Sequence, residues 1–188
     1  MATMDTRSHV EFEKNILSSE QIQLILHRLA CQLLENHFDF SNSIIVGIQP
    51  RGIALSKKIH AILEAKLQKN IPFGILDISL YRDDIHLKNE VTPLGENSMP
   101  FSIEKKNIIL IDDVLYTGRT IRAALDALMD FGRPNDVELL VLIDRKLHRN
   151  VPIQAKYIGK TIDSIQSEKV KVYLDVDNQK DRVDIIGS

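Results

Sequence analysis

The chain has a single cysteine, Cys31. No disulfide can form within it, and no cluster of thiolates can hold a metal. Cys31 falls on an apolar helical pattern and reads as core or surface filler rather than as a nucleophile. An excess of positive charge is also missing: 24 Lys and Arg stand against 26 Asp and Glu, a net charge of −2. Any contact with nucleic acid therefore has to come from a local basic patch. No apolar run approaches the length of a membrane span, and Met1 to Lys14 is polar and charged, without the apolar core of a signal sequence. These absences predict a soluble, cytoplasmic protein with no membrane partner. A chain of 188 residues fits one domain with a full core.

What is present centres on Ile108 to Thr120. Ile108, Ile109, Leu110 and Ile111 run unbroken into two adjacent acids, Asp112 and Asp113, and the loop Val114-Leu115-Tyr116-Thr117-Gly118-Arg119-Thr120 then opens a helical pattern over 121–131. An apolar run without alternation is the mark of a strand buried on both faces. Gly118 can take a positive φ and let backbone approach a ligand. Amides in the first turn of the helix have no acceptor within it, so they face whatever anion sits there. Thr117 and Thr120 add hydroxyls. Two carboxylates suit sugar hydroxyls, which donate to them, and not phosphate.

Other segments alternate strand and helix. The spacing of Ile22, Ile25, Leu26, Leu29, Leu33 and Leu34 predicts an amphipathic helix from about Ser18 to His37. Ser43 to Ile48 reads as a buried strand, and Gln49-Pro50-Arg51-Gly52 turns into a helix over about 53–67. Phe73 to Leu80 reads as a third strand running into Tyr81-Arg82-Asp83-Asp84. The aperiodic polar stretch 83–104 predicts a hairpin-like lid. Val137 to Asp144 is another buried strand, delivering Asp144 and Arg145 to the carboxyl edge of the sheet, where ligands bind in open α/β folds. The alternation predicts an α/β fold, a doubly wound and mainly parallel sheet flanked by helices. The rest, about 145–188, reads as short strands and turns forming a small hood, with residues 1–14 as a polar lead-in. Gly159-Lys160-Thr161 imitates the end of a nucleotide-binding P-loop, but residue 154 is Gln where that pattern needs Gly, and no helix follows.

The strand, acid pair and Thr-Gly-x-Thr loop resemble the phosphoribosyl diphosphate (PRPP) signature of type I phosphoribosyltransferases. Asp112 to Thr120, followed by Asp126-Ala127-Leu128 and Gly132-Arg133-Pro134, together with Asp77 to Asp84, resembles one branch of them, the PyrR family. The resemblance implies uracil phosphoribosyltransferase activity joined to regulation of pyrimidine-operon messenger RNA, with UMP and UTP promoting RNA binding. It implies Asp112 and Asp113 at the ribose hydroxyls, and Leu115, Tyr116, Thr117, Gly118, Arg119 and Thr120 around the 5′-phosphate. Arg51, Gly52 and Arg82 fall to the pyrophosphate, with Arg82 also in the catalytic set, and Tyr157, Ile158 and Gly159 to a uracil-reading hood. Mg²⁺ would arrive on PRPP with no dedicated protein cage, and the protein would be a homodimer or tetramer.

Tyr116 stands where 6-oxopurine enzymes carry Asp, and a phenol is a poor base near neutral pH, which points toward uracil. For contact with an mRNA leader the resemblance offers Arg28, His148, Arg149 and Lys160. Cys31 and Gln154 depart from the family's His and Arg, and the segment 145–148 is one residue longer than usual. A salvage phosphoribosyltransferase without an RNA role stays open beside the bifunctional reading.

Overall fold

The computed structural model describes residues 12–82, 97–175 and 178–187. Eight strands and three helices follow one another as β1 (Phe12–Leu17), α1 (Ser19–His37), β2 (Ser43–Ile48), α2 (Gly52–Leu67), β3 (Phe73–Leu76), β4 (Asn107–Leu115), α3 (Arg119–Met129), β5 (Asp136–Arg145), β6 (Tyr157–Ile162), β7 (Lys169–Tyr173) and β8 (Arg182–Gly187). Helix α1 starts on a reciprocal cap. The Ser18 hydroxyl accepts from the Gln21 amide, and the Gln21 side chain accepts from the Ser18 amide at 3.0 Å.

A five-stranded parallel sheet in the order β3-β2-β4-β5-β6 forms the centre. Strand β4 shows why its sequence carries no alternation. Ile109 and Ile111 enter the core beneath α1 and α2, whereas Ile108 and Leu110 enter the opposite core beneath α3. From β2 the chain moves outward to β3, and from β4 it moves the other way to β5. The carboxyl ends of β2 and β4 thus border a topological switch point, the crevice where open α/β sheets bind ligands.

A second sheet, β1-β8-β7, is antiparallel. It joins the segment nearest the amino terminus to the last one, packing Val170 and Val183 into the core with α1 and α2.

Three expectations from sequence change here. Strand β3 stops at Leu76 rather than Leu80, because the Asp77 carboxylate accepts from the Ser79 amide at 2.9 Å and its hydroxyl at 2.6 Å. That local bond turns the chain into a 3₁₀ turn, Ser79–Tyr81. Residues 83–96 of the expected lid lie outside the described residues. Residues 97–104 are part of the body: Ser98 pairs with Ile75 in an antiparallel bridge, and Ile103 is fully buried in the α3-side core alongside Met99 and Phe101. Finally, residues 157–162 form the fifth strand of the central sheet and not part of the hood. Short apolar runs do not say which sheet they join.

Candidate active site

The site is built where β4 ends. Asp112 and Asp113 are only 5% and 6% exposed, and the Asp113 amide donates to an Asp112 carboxylate oxygen at 3.0 Å. Burial pushes the Asp112 carboxyl up to about 8, with the neighbouring Asp113 charge adding to the effect. Burial also raises Asp113, against the opposing pull of the Arg51 guanidinium. The pair without ligand therefore holds its protons more tightly than exposed carboxylates do, and donors or cations entering the cleft favour the charged form.

Arg51 reaches the pair because α2 can pack close to β4. A Cβ on Gly52 would lie 2.3 Å from the Ile111 carbonyl oxygen and 3.2 Å from Asp112 Cα. Gly52 is thus a spacer behind the site, setting the distance between Arg51 and the acids.

Beyond Leu115 the backbone turns at Gly118, with φ of 89°, and enters α3. A segment from the β5–β6 connection holds this loop from behind. Asn150 and Val151 donate their amides to the Thr117 carbonyl at 2.9 and 3.1 Å. Arg149 donates to the Tyr116 carbonyl and pairs with Asp144. The Arg119 amide donates to the Thr117 hydroxyl at 3.4 Å, and the other amides of the first turn of α3 have no acceptor within the helix, the setting in which anions bind. Arg82 follows Tyr81, whose hydroxyl donates to Asp130 at the far end of α3.

At this edge lies a cleft of about 1480 Å³, above the roughly 300–1,000 Å³ usual for small-molecule sites. The cleft brings together Arg51, Arg82, Asp112, Asp113, Leu115, Tyr116, Thr117, Gly118 and Thr120. Arg119, in the first turn of α3, is exposed and is not among the residues lining it.

Tyr157, Ile158 and Gly159 do not line the cleft, and their expected place in a uracil hood is corrected. Tyr157 is buried, and its hydroxyl donates to Glu138 at 2.6 Å, where His37 also meets that carboxylate. Glu138 lies near the start of β5, opposite the edge that ends in Arg145. Gly159 is packed so tightly that a Cβ would meet the Leu142 carbonyl oxygen at 2.4 Å. The remaining cleft wall comes instead from β7, Gln166 and Glu168, together with Arg145. The sequence had placed Arg145 at this edge without a role. Strand β7 lies within the segment 145–188 expected to form a hood, but the sequence did not single out its residues, because their position depends on β8 bringing the strand over the sheet.

The four residues considered for RNA fall into two pairs. Arg28 donates to the carbonyls of Ile158 at 3.1 Å and Gly159 at 2.6 Å, and Lys160 donates to the Ile16 carbonyl at 3.1 Å. His148 meets the Tyr116 ring edge-on, with centroids 5.8 Å apart, and Arg149 donates to the Tyr116 carbonyl as described.

A parallel sheet with an acid pair and a glycine-centred loop at its switch point is the layout of a phosphoribosyltransferase. The phosphoribosyl transferase domain model matches residues 13–177. Among solved structures, the hypoxanthine phosphoribosyltransferase of Trypanosoma cruzi superposes with a TM-score of 0.69 at 18% identity, covering 93% of this chain and 97% of that one. A Staphylococcus aureus hypoxanthine phosphoribosyltransferase gives 0.60 at 26% identity, covering 79% and 77%. Sequence relatives are nearer. Bifunctional protein PyrR of Actinobacillus pleuropneumoniae serotype 5b is 44% identical over 160 residues, 85% of this chain and 89% of that one. The Bacillus cereus (strain AH820) protein of the same name is 43% identical over 172 residues, 90% and 95%. The chain belongs to the PyrR family of phosphoribosyltransferase-fold proteins.

Among the described residues no helix is long and apolar enough to cross a membrane.

Proposed function

We propose that this protein transfers the phosphoribosyl group of PRPP to uracil, giving UMP and diphosphate, and that UMP or UTP in the same cleft controls its binding to a pyrimidine-operon mRNA leader. The observation that carries the enzymatic half is the buried Asp112–Asp113 pair, set between Arg51 and the Gly118 loop. In the transfer the bond from ribose C1 to the diphosphate oxygen breaks, a bond from C1 to the uracil nitrogen forms, and that nitrogen's proton leaves. The sugar passes through a cationic, oxocarbenium-like state. Catalysis is then chiefly positioning and charge complementarity.

Asp112 and Asp113 accept from the ribose hydroxyls and place negative charge near the developing cation. The loop from Leu115 to Thr120 holds the 5′-phosphate with its amides and the hydroxyls of Thr117 and Thr120. Arg51 and Arg82 face the diphosphate, with Gly52 behind them. Among the described residues no three His, Cys, Asp or Glu side chains gather as a metal cage. Two adjacent carboxylates on a cleft wall fit a Mg²⁺ that arrives on PRPP oxygens and keeps its waters. When bound, such an ion would supply positive charge to the departing diphosphate, and Asp112 and Asp113 are the residues that would hold it and the sugar.

For the regulatory half we assign Arg28, His148, Arg149 and Lys160, and extend the set to Lys146 and Lys156. A homodimer or tetramer, in the cytoplasm, completes the reading. A specific observation favours a second one, salvage without RNA: Arg28, Arg149 and Lys160 already donate to backbone carbonyls, so RNA phosphates compete with those bonds. Two assays separate them. The first is diphosphate release from PRPP with uracil. The second is binding to a labelled pyrimidine-operon leader, with and without UMP, across a salt series. Nucleotide-enhanced binding with a steep salt slope, absent for a scrambled leader, supports the bifunctional protein. Weak, sequence-indifferent binding beside robust turnover leaves the salvage enzyme.

Arg149→Ala is expected to impair both functions. It strips the Tyr116 carbonyl of its donor and leaves Asp144, 6% exposed, as a buried charge without its partner. The KM for PRPP should rise by about tenfold, the loss of one charge-assisted hydrogen bond. An unchanged KM alongside lost RNA binding would show that the loop holds without Arg149.

A further inference from the structure

Lys58 lies near the middle of α2, and its side chain is 13% exposed. Its ammonium is held by the segment that joins β7 to β8. It donates to the Asp175 carbonyl at 2.5 Å, to the Asn178 side-chain oxygen, and to the two carboxylate oxygens of Asp181 at 3.2 and 3.0 Å. The Asp181 side chain is fully buried. It also accepts from the Asp175 amide at 2.7 Å and from the Gln23 side chain of α1 at 3.3 Å. Asp175 lies just past the end of β7 and Asp181 immediately precedes β8. One carboxylate therefore ties the two strand ends together, and one ammonium ties both to α2.

A lysine is rarely withdrawn from water, because its ammonium is strongly hydrated. An apolar contact would hold the segment at less cost. What the ammonium adds is direction, since its three N–H groups reach oxygens of Asp175, Asn178 and Asp181 together. Val170 and Val183 press the β7–β8 pair onto the core, but hydrophobic contact is non-directional and leaves the angle of the pair open. Lys58 supplies that angle. The strand running into this clasp lines the cleft from Lys169 to Leu174, and Lys58 itself does not line it. Arg51 caps the start of α2, about two turns before Lys58, and Gly52 seats the helix on β4. The β7 wall is thus held to the same helix that sets Arg51 beside Asp112 and Asp113.

We infer that Lys58 is a positioning residue for phosphoribosyl transfer, holding the β7 wall against the cleft so that the sugar carbon meets the base and not water. The inference rests on the transfer proposed above and deepens it by assigning part of the exclusion of water to a residue outside the cleft. Hydrolysis is the same displacement with water in place of uracil. The bond from C1 to the diphosphate oxygen breaks, a bond from C1 to the water oxygen forms and a water proton leaves, giving ribose 5-phosphate and diphosphate. Because Lys58 touches neither the substrates nor the reacting atoms, its loss changes the partition between uracil and water more than the affinity for PRPP.

The test measures UMP and ribose 5-phosphate formed from PRPP and uracil by the full-length protein, by Lys58→Met and by Lys58→Arg. Lys58→Met keeps the length of the side chain and leaves Asp181 buried without its cation. The ratio of ribose 5-phosphate to UMP should rise by about tenfold or more, because breaking a buried pair on one side shifts a local closed-to-open ratio by at least that much. The KM for PRPP should stay within about threefold of the parent's, since no group that binds it has been removed. Lys58→Arg, which keeps the charge, should bring the ratio back toward the parent's. An unchanged ratio in Lys58→Met overturns the inference, as does an equal loss of both products, which would make Lys58 a support for the fold alone.

If Lys58→Met does not fold, Asn178→Ala decides. Asn178 is exposed and gives the clasp one acceptor, so its loss should shift the ratio in the same direction by about two- to tenfold, the range of one hydrogen bond. An unchanged ratio there overturns the inference. A parent that releases no diphosphate from PRPP sinks the proposed transfer, and amide hydrogen exchange of Lys58→Met then judges the clasp by itself. Faster exchange confined to residues 169–175 and 181–187 upholds its hold on the β7 wall, and a uniform rise along the chain overturns it.

Discussion

Asp112→Asn is expected to unfold at a higher temperature than the parent protein at pH 8 and to show no measurable transfer from PRPP. The carboxyl is buried beside a second one, and both effects raise its pKa, to about 8. An acid whose folded pKa exceeds its unfolded value, about 4, stabilises the fold fully below that unfolded value. The contribution is lost as pH rises toward the folded pKa, since the native state then has to release a proton it binds better than the unfolded chain does. In the ligand-free parent, stability should therefore decline between about pH 4 and pH 8, and Asp112→Asn should flatten that decline. Relief of about 2 kcal/mol would raise the midpoint by roughly 4–8 °C for a domain of this size. Thermal unfolding as a function of pH, with diphosphate release measured in parallel, checks both halves. An asparagine variant less stable than the parent at pH 8 would mean that the pair is ionised and compensated without ligand. The gain in stability alongside the loss of chemistry is what strain held at a functional site looks like.

Gly52→Ala should cost both stability and turnover, although alanine ordinarily favours a helix over glycine by up to about 1 kcal/mol. The new methyl group would lie 2.3 Å from the Ile111 carbonyl oxygen, and neither backbone can give way without moving β4 or α2. Overpacking of this kind costs typically about 1–3 kcal/mol, which outweighs the helix preference. The larger effect should fall on catalysis. Shifting α2 moves Arg51 away from Asp112 and Asp113, and a misplacement of about 1 Å can cost on the order of a hundredfold. The expected result is a drop of that size in kcat/KM for PRPP, with a cooperative unfolding transition at lowered temperature. Turnover within threefold of the parent would show that Gly52 is not the spacer the contact indicates.

The loop that opens α3 was legible because it is local. Asp112 to Thr120 carries acids, hydroxyls and a left-handed glycine within a strand–loop–helix unit, and a short sequence fixes all of that geometry. The unbroken Ile108–Ile111 run likewise reports a strand with a core on each face. Tyr157 to Gly159 misled because the sequence shows a short strand but not its sheet. The deciding contact, Tyr157 with Glu138, joins residues brought together only by the parallel β5–β6 register. Arg145 was visible at the right edge, but its environment is made by Tyr116 and by residues 164–168, none of which announces a partner. The end of β3 was overestimated because a carboxylate two residues from the serine it binds offered the backbone an alternative to the strand.

The pairing of β1 with β8 ties Phe12 to Gly187, a link spanning almost the whole described chain. During synthesis, the first of these strands is exposed long before the second exists. The central sheet, complete once residue 162 has emerged, carries the acids, the anion loop and Arg51, and its contacts are short in range by comparison. Closing so long a loop is entropically costly and belongs late in folding. A nascent or carboxy-terminally clipped chain should therefore hold a formed acid pair and Gly118 loop under an unfinished roof, and on the proposed reading it would capture a sugar phosphate without shielding the reacting carbon from water.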